Sequence, residues 1–465
     1  MSRHRHHACC HPPSGPGKPP PDLADNLWSR RMRRRDVLWL GAAAGSGLAL
    51  SALTGCAVDP ISGDRRLMLL SERDEIDIDR QHAPHQFSND FGRSDDPLLL
   101  SYVDDVGQRV AQRSHRPHMP YSFHVVNANH LNAYAFPGGT IACTRGLLVE
   151  MDDESELAAL MGHEAGHVAA RHAARRQTQA MLTALALGGV TLAAGRSSRL
   201  EGYQDVIYGI GALGAGALLA FYSRENEREA DALGQDYATQ AGYNPDGMIS
   251  LIGTLIGEGQ RDRNALELMF ATHPMATERL QSAERDAQTY YSGARDRARG
   301  RERHMDHTAR LREQRELIGL LRRGESAMAA QRYAEAKGHF RDALALDDSD
   351  YSALILMARC QNALGRHREA QRYLELAKAA SPGEGKALHL SGVNRLALRQ
   401  PEQALADFQR YERVLPGNPN TLFLKGVAYE SMQNQSAAAH YYTAYLRAAP
   451  STEQAAFARS RLEAW

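Results

Sequence analysis

The chain has 465 residues, enough for two or three domains. Its 55 basic and 55 acidic residues cancel, which removes the electrostatic case for a nucleic-acid partner. The five cysteines form no cluster that could hold a metal, and the spacing of Cys143 and Cys360 does not suggest a disulfide.

The first 55 residues read as an export signal. Arg33-Arg34-Arg35-Asp36-Val37-Leu38 precede an apolar run from Trp39 to Leu53 that is short for a bilayer span, and Thr54-Gly55-Cys56 closes it. This pattern predicts a twin-arginine signal ending in a lipobox, with Cys56 acylated as the mature N-terminus. Residues 1–31, rich in His, Pro and Arg, are unusual in a signal, and a start at Met32 would leave a compact one. Ala57 after the cysteine resembles the sorting pattern for the outer membrane. The expected location is therefore the periplasm, with a lipid anchor in that membrane.

Further along, Leu131 to Thr144 reads as a strand and turn, with Ala133 and Ala135 alternating ahead of Pro137-Gly138-Gly139. The next run, Glu156 to Arg176, has helical apolar spacing and contains His163-Glu164-Ala165-Gly166-His167. Histidines four apart leave the same helix face, so both imidazoles can reach one metal ion. Glu164 beside them is placed to activate a water. Two apolar, glycine-rich runs follow, Met181 to Gly195 and Val206 to Tyr222, separated by a polar loop. The first is too short to span a bilayer, so two short helices near the site or the membrane surface are expected rather than an intramembrane hairpin.

Ser223 to Asp231 (SRENEREAD) begins another helix with its acidic residues early, where the helix dipole favours them. Glu227 and Asp231 share a face. Glu227 can complete a His-His-Glu site for a single zinc ion, and Asp231 can hydrogen-bond a ligand histidine from behind. A catalytic zinc needs three protein ligands and an open position, which this set provides.

The pairing of HEAGH with NEREAD resembles the zinc metalloproteases of peptidase family M48, which includes HtpX-type and CAAX-prenyl endopeptidases. Asn132 to Gly139, Ala271-Thr272-His273-Pro274 with the downstream Arg279, and Asp59 to Arg66 are also similar to segments of that family. The resemblance covers about 59–287. It implies that His163, His167 and Glu227 are ligands, that Glu164 is the general base, and that His273 is a nearby catalytic histidine facing the metal or the developing oxyanion. The activity it implies is a zinc-dependent metalloendopeptidase. The strand and turn from Leu131 to Thr144 reads either as an exposed edge that could hold an extended peptide by β-augmentation or as an ordinary buried hairpin.

The C-terminal third repeats every 34 residues. Ala336, Ala370, Ala404 and Ala438 keep this interval, as do Gly324, Gly392 and Gly426, with Ala358 in the vacant slot. Phe340, Leu374, Phe408 and Tyr442 follow the same period, and Pro382, Pro416 and Pro450 mark the junctions. This is the tetratricopeptide pattern of stacked helix pairs. The expected fold is mostly α: a metallopeptidase domain with a small β-hairpin, then an α-solenoid. The boundaries are 1–55 signal, 56–100 lipidated segment, 101–294 peptidase, 295–316 helical linker and 317–465 repeats.

Joining this catalytic type to such an array resembles envelope quality-control proteases. That implies unfolded or unassembled envelope polypeptides as substrates, and a partner protein on the repeats, namely the outer-membrane assembly machinery. A chaperone or scaffold with minor proteolysis is the alternative.

Overall fold

The computed structural model describes residues 56–193, 222–261, 273, 277–450 and 452–465. The expected export signal, the polar loop and nearly all of the second apolar run lie outside the described residues. A small antiparallel hairpin of β1 (Cys56–Val58) and β2 (Arg65–Leu67) forms a unit of its own.

The larger unit is mostly helical. It opens with α1 (Glu72–Asn89), capped by a reciprocal pair of bonds between Ser71 and Asp74, and α2 (Pro97–Ala111), capped by Asp96. The expected hairpin is present as β4 (Ala133–Ala135) and β5 (Thr140–Thr144), paired antiparallel. It belongs to a wider sheet than the sequence suggested. β3 (Ser122–Val126) pairs parallel with β5, giving the order β3-β5-β4 and leaving β4 at the edge. A parallel pair has no local turn signal, so β3 gave no hairpin-like pattern to read.

After the short α3 (Arg145–Leu148) come α4 (Glu154–Ala169) and α5 (His172–Ala193). The helix expected over 156–176 is thus broken. Arg171 has φ 56°, a left-handed conformation that ends α4 and starts α5. The Arg171 side chain is held there by Glu75 Oε1 at 3.1 Å and by the Leu70 carbonyl at 2.8 Å. Glu75 is buried and also takes Arg116 Nη2 at 2.8 Å, so one carboxylate fixes two arginines around the break. The first apolar run continues α5 without a break to Ala193. Among the described residues no helix is long and apolar enough to cross a membrane. The unit continues with α6 (Arg224–Gln240), α7 (Asp246–Arg261) and α8 (Thr277–Thr289).

Two short helices, α9 (Arg301–His307) and α10 (Ala309–Glu313), lead into the repeats. The first helix pair is α11 (Arg315–Ala329) with α12 (Tyr333–Leu346), and the second is α13 (Tyr351–Ala363) with α14 (His367–Ala380). The 34-residue pattern has a direct packing cause. A Cβ on Gly324, Gly392 or Gly426 would overlap the ring of Phe340, Phe408 or Tyr442 respectively. Ala336, Ala370, Ala404 and Ala438 are fully buried at the helix contacts. Cys143 and Cys360 are both buried and free.

The repeats dock on the peptidase core through a buried ion pair. Arg145 Nη1 donates to Asp350 Oδ2 at 2.6 Å, with both side chains 6% exposed, and its other nitrogens reach Asn129 and Ser352. Burial opposes ionisation of Asp350, but Arg145 outweighs it and holds the carboxyl below its ordinary value. Replacing Asp350 with Ala strands the arginine in a buried site, so a loss of about 3 kcal/mol is expected. The check is urea unfolding of the full chain; an unchanged midpoint would mean that the pair does not tie the repeats down.

Candidate metal centre

Every residue of α4 from Glu154 to Ala169 is buried, so this is a core helix and its polar groups need partners. Those partners come mainly from α6, which starts at a Ser223–Asn226 capping box. The two helices cross at backbone contact distance. A Cβ on Gly162 would sit 2.6 Å from the Gly234 carbonyl oxygen, and one on Gly234 would sit 2.5 Å from the His163 nitrogen. Only glycine at both positions permits this approach, which places the acidic face of α6 against the histidine face of α4.

The groups named from sequence converge. His163 Nε2 and His167 Nε2 are 3.1 Å apart. Glu227 lies 3.6 Å from His163 Nε2 through Oε2 and 3.4 Å from His167 Nε2 through Oε1. His273 joins them, its Nδ1 3.0 Å from Glu227 Oε1 and 3.4 Å from His163 Nε2. All four side chains are buried, with their ligand atoms within 4.8 Å of one another. Glu164 is 1% exposed, and its Oε2 has no hydrogen-bond partner among the described residues. Its Oε1 lies 3.9 Å from His273 Nε2.

These separations bear on whether a zinc ion would fit. A tetrahedral ion with bonds of about 2.0–2.1 Å needs ligand atoms about 3.3 Å apart. The two imidazole nitrogens at 3.1 Å, and Glu227 Oε1 at 3.4 Å from His167 Nε2, lie near that edge, while His163 Nε2 is met by the other carboxylate oxygen at 3.6 Å. Two imidazole nitrogens and a carboxylate are also a donor set zinc accepts.

Behind these side chains lie two supporting chains. Asp231 Oδ1 is 2.9 Å from His163 Nδ1, and Arg279 grips Asp231 at 2.6 and 2.7 Å while its Nη1 meets Glu227 Oε2 at 2.9 Å. On the other side, His167 Nδ1 is 2.9 Å from His172 Nδ1, and His172 Nε2 is 3.0 Å from Glu229. Tyr222 stacks on the His167 ring at 3.9 Å.

Burial sets the protonation tendencies, with charge opposing it. Burial, aided by the nearby charge of Glu227, pushes Glu164 above the ordinary carboxylate range. Burial also opposes ionisation of Glu227 and Asp231. His273 with the bonds from His167 and His273 outweighs it for Glu227, and Arg279 does so for Asp231, so both fall below their usual values. Burial drives His167 well down, whereas in His273 the charge of Glu227 overcomes burial and raises it.

The sequence reading left out His172, Glu229 and Tyr222. Glu229 lay in plain view inside the NEREAD segment, two residues from each acidic residue that was chosen. His172 gave no signal, because an unbroken helix would have turned it away from His167.

Residues 97–287 match Peptidase family M48, and residues 327–390 match a tetratricopeptide repeat. The chain carries a family M48 peptidase domain. It is 31% identical over 193 residues to the beta-barrel assembly-enhancing protease of Escherichia coli K12, covering 40% of this chain and 39% of that protein. It is 30% identical over 162 residues to the metalloprotease YcaL of the same organism, covering 35% and 60% respectively. The mitochondrial metalloendopeptidase OMA1 of Schizosaccharomyces pombe is 28% identical over 260 residues, covering 54% and 72%. The match thus spans about two fifths of the assembly-enhancing protease's length.

Proposed function

We propose that this M48 domain is a zinc-dependent endopeptidase acting on polypeptides of the cell envelope. The observation that carries the reading is the convergence of His163, His167 and Glu227, with candidate ligand atoms within 4.8 Å of one another, and Glu164 3.9 Å from His273 in the same cluster. A bound zinc ion supplies Lewis acidity toward a water and the scissile carbonyl. Glu164 takes the proton from the attacking water and delivers it to the leaving amine. Its burial suits it to both halves of that transfer, since the carboxylic acid is not strongly disfavoured. Asp231, locked by Arg279, orients His163. His273 faces Glu164 across 3.9 Å and stands as the donor to the developing oxyanion.

Strand β4 packs beside α4 at the end of the sheet, but Ala133, Tyr134 and Ala135 are all buried, so the exposed edge needed for backbone pairing with a substrate is not found there. The repeats recruit a substrate or a partner protein, for which the outer-membrane assembly machinery is the candidate suggested by the name of the Escherichia coli relative. Lipidation at Cys56 after twin-arginine export would hold the enzyme at the periplasmic side of the outer membrane.

The reading is tested by metal analysis of the purified full chain and by cleavage of casein. We expect one zinc per chain, loss of cleavage on dialysis against a strong chelator, and recovery on adding zinc back. Casein cleavage that survives complete removal of metal would refute it.

A further inference from the structure

The break between α4 and α5 has a consequence for the metal centre. In a continuous helix, residues five apart point about 140° away from each other, so His172 would face away from His167. The left-handed Arg171 resets the chain instead, and the two rings meet with centroids 4.9 Å apart at 70° and Nδ1 atoms 2.9 Å apart. A left-handed non-glycine residue costs about 1–2 kcal/mol. Here the clamp of Glu75 and the Leu70 carbonyl on the Arg171 side chain stabilises it.

The proton positions then follow from one end of the chain. Glu229 is an acceptor, because its carboxylate is ion-paired with the Arg175 guanidinium. Arg175 Nη1 meets the same Glu229 oxygen at 3.1 Å. His172 therefore donates from Nε2 and keeps its Nδ1 lone pair for the hydrogen on His167 Nδ1. That leaves the His167 Nε2 lone pair turned toward His163 and Glu227. We propose that His172, oriented by Glu229, is a positioning residue of the metal centre, fixing the tautomer and ring angle of His167. Its chain matches the one on the other ligand, where Arg279 and Asp231 do the same for His163.

This inference rests on the metal-centre reading, and zinc affinity separates the two. The full chain, stripped of metal, is titrated with zinc alone in competition with a chromogenic chelator, for wild type, His172→Ala and His172→Asn. The Asn Oδ1 occupies the place of Nδ1 and accepts the same hydrogen. We expect His172→Ala to bind zinc about 10- to 100-fold more weakly. His172→Asn should recover most of that loss, while the near-ultraviolet circular dichroism of its zinc-free form matches wild type. Wild-type affinity in His172→Ala overturns the inference. So does an Asn variant that is folded yet binds zinc poorly, and the Asn variant decides the matter if His172→Ala fails to fold. A wild-type chain that binds no zinc sinks the metal-centre reading itself, and this inference with it.

Discussion

Glu164→Gln is expected to leave a folded, zinc-loaded protein that has lost at least about 1,000-fold in casein cleavage, within the range for removing a general acid–base. The substitution is close to isosteric, and Glu164 is not among the four groups that gather at the ligand cluster. Its Oε2 has no hydrogen-bond partner among the described residues, so little structural bonding is lost with the charge. The amide cannot take a proton from water, so the loss falls on the chemical step. kcat should fall while KM for a short peptide stays near its wild-type value. Zinc content measured on the same preparation separates this from metal loss. Near-normal turnover by a zinc-loaded Glu164→Gln protein would remove Glu164 from its role.

The same variant addresses the alternative in which the chain acts chiefly as a chaperone. If it restored an envelope defect as well as wild type did, cleavage would be dispensable and the repeats would carry the activity. Polypeptides captured on the inactive protein would then identify what the array holds.

How much of this could be read from sequence follows from how locally each feature is encoded. The two histidines four apart on one helix, and the two acidic residues four apart on the next, are written at helical period. Their faces could be named before any tertiary contact was known. The repeats were equally legible, since a small residue at a helix crossing needs a large one opposite it, and Gly324 and Phe340 restate that need every 34 residues. What escaped depends on distant residues. The break at Arg171 has no glycine or proline to announce it, because its cause is Glu75, 96 residues earlier. His172 became visible only once that break was known. The parallel pairing of β3 with β5 leaves no turn signature. The docking of the repeats hangs on Arg145 and Asp350, which are 205 positions apart.

Glu227→Ala should have a different signature from Glu164→Gln: loss of the metal itself. Glu227 is fully buried and, among the described residues, its carboxylate faces both histidine Nε2 atoms, so its removal leaves a cluster of three histidines. Zinc affinity should fall more than about 100-fold, and casein cleavage should drop to background. Stability should suffer as well. Glu227 accepts from His273 and is ion-paired with Arg279, and without it the buried guanidinium keeps Asp231 as its carboxylate partner among the described residues. Losing half of such a buried arrangement costs about 3 kcal/mol. Glu227→Gln separates the two effects, since its amide oxygen can still accept from His273 while the negative charge is gone. The Gln variant should therefore unfold nearer to wild type than the Ala variant, yet bind zinc almost as poorly. Inductively coupled plasma analysis for zinc and urea unfolding of the metal-free chains read these two quantities separately. Full zinc occupancy and turnover in Glu227→Ala would mean that α6 supplies no ligand, and the centre would have to be rebuilt around His273.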